Sequence, residues 1–160
     1  MQIDPKTHSD IWAFPQFGDK KPFPYLNSEY AEAEGRLSPN GQWLAYVSDE
    51  SKRAEVYVQT FPEHGGKWPI STIGGQYPVW SRDGRELYFI GADRKLMAVE
   101  VKGNAKSFQP SVPTPLFEVA ALAQFDVSKD GRFLIQVPVE QAAANVPLTV
   151  VLNWQAALKK

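Results

Sequence analysis

The 160-residue chain contains no cysteine. That removes disulfides, thiolate nucleophiles and cysteine-ligated metal sites, and it leaves the redox compartment open. Histidine is scarce, with only His8 and His64. An excess of one charge is also missing: 17 Lys and Arg stand against 18 Asp and Glu, a formal net charge of −1 with no acidic or basic half. Without clustered positive charge to displace counterions, no nucleic-acid partner is expected. Long apolar runs are lacking too. Val146 to Leu152 is interrupted by Pro147 and Thr149, far short of the ~20 residues that cross a membrane. The stretch from Met1 to His8 has neither the basic nor the apolar region of a secretory signal. The chain therefore reads as soluble, with no membrane contact of its own, and its length suits one domain with one core.

What is present points to β structure: 13 prolines, 11 glycines and 12% aromatics. A repeat organises it. Ser38-Pro39-Asn40-Gly41, Ser81-Arg82-Asp83-Gly84 and Ser128-Lys129-Asp130-Gly131 share one pattern at spacings of 43 and 47 residues. Each is flanked by apolar segments, so it reads as the turn of a β-hairpin, expected to be type I′ with positive φ at both central residues. The following strands, Gln42 to Val47, Arg85 to Ile90 and Arg132 to Val137, each carry Leu in third place and apolar residues on both faces. A sheet sandwiched between two others needs that pattern. Further strands are expected at Asp10 to Phe14, Lys21 to Leu26, Glu55 to Phe61, Lys67 to Thr72, Leu96 to Val101, Pro115 to Val119, Ala123 to Val127 and Leu148 to Trp154. The Pro-rich Phe108 to Pro115 is read as a loop, and only Gln155 to Lys160 and Glu140 to Asn145 are read as able to form helical turns. Four short strands in about 45 residues make a β-propeller blade. The expected class is all-β, a single partial propeller over 1–160: the end of an incomplete blade (9–26), blades at 33–73 and 77–119, and a last blade at 123–154 completed by another segment.

The pattern from Arg36 to Asp49, followed by Glu55-Val56-Tyr57-Val58, resembles the WD-like repeat of TolB-type β-propellers. Pro78 to Gly84 resembles a second copy. Asp10-Ile11-Trp12, Lys67 to Ser71, Leu96 to Val101 and Val150 to Trp154 are similar to the C-terminal end of long bacterial proteins of acidobacterial type. There a TolB-like propeller follows a serine/threonine kinase domain and a membrane span. The resemblance implies a blade architecture and an extracytoplasmic setting, and no shared chemistry. No kinase motif is present, nor the Gly-x-Ser-x-Gly elbow of the peptidases that similar propellers gate.

Candidate chemistry is sparse. His8 and His64 sit in a terminus and a loop and read as structural. Ser38, Ser81 and Ser128 recur at one position, as do Asn40, Asp83 and Asp130, so they read as turn formers; a catalytic group is needed once. Asp49, Glu50 and Glu55 with Lys52 and Arg53 read as a solvated, self-compensating loop, and Gly65-Gly66 and Gly74-Gly75 as turns. The tryptophans Trp12, Trp43, Trp68, Trp80 and Trp154 mostly lie within strands, and burial between blades explains them most simply. Trp68 and Tyr77, near strand ends, are the binding candidates, able to stack on a sugar or peptide at a channel mouth. No catalytic residue, metal or cofactor is expected. About three blades leave a ring open, and a closed propeller has four to eight. Self-association follows as the expected partner relation: a homodimer in which Lys21 to Leu26 of one chain completes the last blade of the other, giving six blades. The expected function is a non-catalytic module for protein interaction or ligand sensing. A gating propeller of a prolyl-oligopeptidase-like hydrolase and a carbohydrate-binding module are the alternatives.

Overall fold

A computed structural model describes residues 9–104, 107–120 and 124–136. Every regular element among them is a strand: β1 (Ile11–Ala13), β2 (Phe23–Leu26), β3 (Glu32–Leu37), β4 (Trp43–Ser48), β5 (Glu55–Thr60), β6 (Lys67–Pro69), β7 (Gly75–Trp80), β8 (Glu86–Gly91), β9 (Lys95–Asn104), β10 (Ser107–Pro110), β11 (Thr114–Glu118), β12 (Phe125–Val127) and β13 (Phe133–Ile135). All pairing is antiparallel. β3-β4-β5-β6 form one meandering blade, and β7-β8-β9 with β10 and β11 form the next. The two-stranded sheets β1-β2 and β12-β13 flank them. The all-β blade architecture is thus as expected. His8, Leu148 to Trp154 and the helical turns expected at Glu140 to Asn145 and Gln155 to Lys160 lie outside the described residues.

Alternation along the central strands builds the stack. Trp43, Ala45 and Val47 of β4 and Val56 and Val58 of β5 turn toward the second blade, meeting Leu87, Phe89 and Val99. Leu44, Tyr46 and Tyr57 on the opposite face receive Tyr25, Ile11, Ala13 and Leu26 of β1-β2. On the far side of the second blade, Tyr88, Ile90, Leu96 and Ala98 meet Phe125, Val127, Phe133 and Ile135. Each full blade therefore buries both faces, and each fully buried aliphatic or aromatic side chain contributes about 1.5–3 kcal/mol. β7 packs against β3, β4, β5 and β12. The first strands β3, β7 and β12 accordingly form the inner edge, and β6 and β11 the outer.

The three turns differ from the expected type. Gly41, Gly84 and Gly131 have positive φ of 68°, 71° and 80°, while Asn40, Asp83 and Asp130 do not. The Gly41 N–H donates to Ser38 O at 2.8 Å, and Gly84 and Gly131 repeat this bond to Ser81 and Ser128 at 3.0 Å. This is a type I turn followed by a left-handed glycine. Type I′ loses because the side chains satisfy the turn. The Ser38 hydroxyl donates to Asn40 Oδ1 at 2.7 Å, and that oxygen also accepts the Gln42 N–H at 3.1 Å. Ser81, Asp83 and Arg85 repeat the set at 2.8 and 3.1 Å. The Ser81 and Ser128 hydroxyls, then the next arginine, hold the Asp83 and Asp130 carboxyls below the usual range. A lowered folded value stabilises above the unfolded carboxylate pKa near 4 and is lost as pH falls through the folded value. In an amide NMR titration the Arg85 N–H should therefore shift on acidification below about pH 4, while the Gln42 N–H, facing the non-ionising Asn40, should stay fixed.

The third hairpin is one residue tighter. Trp80 pairs with Leu87, but Val127 pairs with Phe133. A one-residue slip exchanges the faces of a strand. Phe133 and Ile135 consequently pack inward, and Leu134, expected to match Leu44 and Leu87, is 77% exposed.

Phe108 to Pro115 is not simply a loop. β9 runs long, pairing β11 through Lys95 to Ala98 and β10 through Val101 to Asn104. Gly103, at φ 153°, permits the β9-β10 hairpin, because a Cβ there would lie 1.9 Å from Ser107 O. The hairpin delivers Phe108 into the first inter-blade core, its ring 5.0 Å from Trp43 and 5.1 Å from Trp68. Proline occurs in the outer strands of both full blades and of the first half-blade: Pro24 in β2, Pro69 in β6, and Pro110 and Pro115 in β10 and β11. Lacking an N–H, it blunts these edges against further strand pairing.

Candidate functional site

The inner edge carries the most unusual backbone. Glu34 on β3 and Tyr77 on β7, 43 residues apart like the turns, have positive φ of 57° and 58°. Both sit where the strand register shifts. A non-glycine residue in this region costs about 1–2 kcal/mol and persists only when its surroundings hold it. Here the Glu34 carboxylate accepts the Tyr77 N–H at 2.6 Å, and Trp80 Nε1 donates to Arg36 O at 3.0 Å. These two bonds lock neighbouring blades together at the channel edge.

Beside them the inner strands open into a cleft of about 600 Å³, with Arg36, Leu37, Val79, Trp80, Arg82 and Phe125 among its walls. A second cleft of about 280 Å³ adjoins it through Ser81 and Arg82 and continues to Tyr88, Val127 and Lys129. Burial, then the Glu86 carboxylate that accepts the Tyr88 hydroxyl at 2.6 Å, pushes the Tyr88 phenol far up and keeps it neutral. At the opposite end of the blades, Ser71, Gly74, Phe89 and Met97 line an apolar pocket of about 200 Å³ between the exposed Ile73 and Val112.

Trp68 and Tyr77 are not brought together. Trp68 lies on an outer strand, half-buried, with its ring edge-on to Trp43 at 5.6 Å and close against Gly66. Tyr77 lies on the inner strand, its ring packed with the Tyr88 and Ile90 core. His64 stacks on Tyr25 at 4.6 Å, and its Nδ1 accepts from Gln59 Nε2 at 2.8 Å. The Tyr25 hydroxyl donates to Thr60 O, so the pair fastens β2 to the first full blade.

The acidic loop differs from expectation at one residue. Asp49 accepts the Ala31 N–H at 2.9 Å, and Glu50 pairs with Lys67, whose ammonium lies 4.7 Å from the Tyr57 ring. Glu55, however, is only 2% exposed. It accepts the Gly74 N–H on both oxygens at 2.9 and 3.0 Å, the Ser71 hydroxyl, and Arg53 Nε at 2.9 Å. It is a buried clamp between β5 and the connection into β7, and Gly74-Gly75 is part of that clamp. Glu32 is buried as well, and desolvation raises its carboxyl against the Ser28 hydroxyl that lowers it. Among the described residues, no group of three or more His, Asp or Glu is placed to hold a metal ion. Sequence alone assigns no role to Glu34, Arg36 or Arg82. The spacing that pairs Glu34 with Tyr77 was the available signal.

No family model matches the chain. No curated protein matches it either. Among solved structures, TolB from Acinetobacter baumannii aligns over 70% of this chain and 28% of its own, with 20% identity and a TM-score of 0.48. A protein from Lactobacillus plantarum aligns over 79% of this chain and 49% of its own, with 14% identity and a TM-score of 0.43. The chain spans 28% and 49% of these two structures, and the blade architecture rests on its own strand order and stacking.

Proposed function

We propose that the chain is a non-catalytic propeller module that works by protein association, with a second copy closing the ring. The observation that carries this reading is that, among the described residues, the sheets flanking the two full blades have only two strands each. β4, β5 and β8, and β9 from Leu96 to Val99, are covered on both faces. The flanking half-blades leave Phe14 62%, Phe17 86% and Leu134 77% exposed, and the connections of the full blades expose Ile73 and Val112 as well. Exposed apolar surface of this kind marks an interface. β1-β2 of one copy completes the blade begun by β12-β13 of the other, and two copies make six blades. β2 moves with β1, because the two are already paired within the chain. Enzymatic function is disfavoured by the use of the repeated serines and acids, each spent on turn hydrogen bonds. The sequence resemblance adds that the module belongs to a longer bacterial protein of the kinase-associated type.

Leu134→Glu tests the reading. A charge on this face should raise the dimer dissociation constant at least about tenfold, measured by analytical ultracentrifugation, with an unchanged circular dichroism spectrum. An unaltered constant contradicts the proposed interface.

A further inference from the structure

Asn40-Gly41 is the one Asn-Gly step in the chain, and asparagine is a thermolabile residue. The other asparagines, Asn27, Asn104, Asn145 and Asn153, precede Ser28, Ala105, Val146 and Trp154, whose side chains crowd the next amide nitrogen. Glycine has no side chain to do so. Its nitrogen can close on the asparagine Cγ: the N–Cγ bond forms, the Cγ–Nδ2 bond breaks, and the glycine proton ends on the departing ammonia. Water then opens the cyclic imide, its hydroxyl staying on the attacked carbonyl and its proton returning to the nitrogen. Opening at Cγ gives aspartate in an unaltered main chain. Opening at the other carbonyl gives isoaspartate, whose main chain is longer by one methylene. Either route consumes one water and releases one ammonia.

The folded turn holds both reacting groups back. The Gly41 N–H donates to Ser38 O at 2.8 Å, and Gly41 is fixed at a φ of 68°. The Asn40 carboxamide is tied at both atoms: Oδ1 accepts from the Ser38 hydroxyl at 2.7 Å and the Gln42 N–H at 3.1 Å, while Nδ2 donates to Gln42 Oε1 at 3.2 Å. Yet Asn40 and Gly41 are exposed, with open space where a Cβ on Gly41 would stand. Water is therefore at hand once the turn opens. The sister turns show what each product meets on reclosing. Asp83 accepts from the Ser81 hydroxyl and the Arg85 N–H just as Asn40 accepts from Ser38 and Gln42, so an aspartate at 40 finds its donors in place. Isoaspartate lengthens the main chain between the Oδ1 anchor and Gly41, inside the hairpin that pairs Leu37 with Leu44 and sends Trp43 into the core. We propose that Asn40-Gly41 is a deamidation site that the folded turn protects, and that it marks chains whose first full-blade hairpin has opened, aspartate re-entering the native turn and isoaspartate being excluded from it. Neither part depends on ring closure.

The test holds the full chain in mildly alkaline buffer with and without denaturing urea and follows the Asn40 peptide by chromatography and mass spectrometry. Deamidation should run at least about tenfold slower in the folded protein, because it waits on local opening. Ser38→Ala, which frees the carboxamide oxygen, should speed the folded-state rate at least about threefold and leave the rate in urea unchanged. Gln42→Ala, which loses only the Nδ2 contact, should act in the same direction. Asn40→Asp should keep the parent's urea midpoint, and isoaspartyl chains returned to buffer should unfold at lower urea than aspartyl ones. Equal rates with and without urea, a folded-state rate indifferent to both turn variants, a lowered midpoint for Asn40→Asp, or isoaspartyl chains as stable as aspartyl ones would each overturn the proposal.

Discussion

Glu55→Ala should lower the free energy of unfolding by about 3 kcal/mol, the worth of charge-assisted hydrogen bonds lost from a buried carboxylate. In urea denaturation this should appear as a lower midpoint with an unchanged slope. The carboxylate accepts from Gly74, Ser71 and Arg53 at once. Removing it strands the Gly74 N–H and deprives the Ser71 hydroxyl, which also accepts the Val56 N–H at 2.8 Å. Arg53 is more than half exposed and regains water, so no buried charge is left behind, and the loss stays below that of a broken buried pair. Glu55→Gln retains one acceptor oxygen and should cost about half as much. An alanine variant as stable as the parent would place Glu55 back in the solvated loop that its neighbours suggest.

Trp43→Ala should cost about 4 kcal/mol, the range for removing a large buried aromatic side chain. Its ring meets Trp68 at 5.6 Å and Phe108 at 5.0 Å, and those two meet each other at 5.1 Å. Alanine leaves a cavity between two blades whose strands are fixed by hydrogen bonds, so the site cannot collapse freely. Trp68→Ala, at a half-buried position, should cost about 2 kcal/mol through the same cluster. Thermal and urea unfolding of both variants check this. A Trp68 variant with undiminished stability would return that side chain to a purely ligand-facing role.

Local chemistry made much of this fold legible. The Ser-x-Asx-Gly turn is readable because its hydrogen bonds close within six residues, from Ser38 to Trp43. The two-faced apolar pattern of β4 and β8 foretold a stack of sheets. What escaped depends on distant or missing partners. Burial of Glu55 requires Gly74, 19 residues on. Phe108 acquires its meaning from Trp43, across the blade junction. Leu134 changes faces because the third turn closes at Arg132, where the Ser128 N–H donates at 2.8 Å, and no change of composition announces that slip.

The central claim is that association completes the propeller, and mass reports it directly. Light scattering of column-separated protein at tens of micromolar should give about twice the 17.9 kDa of one chain, falling toward one chain on dilution. A mass of 17.9 kDa at every concentration would contradict it.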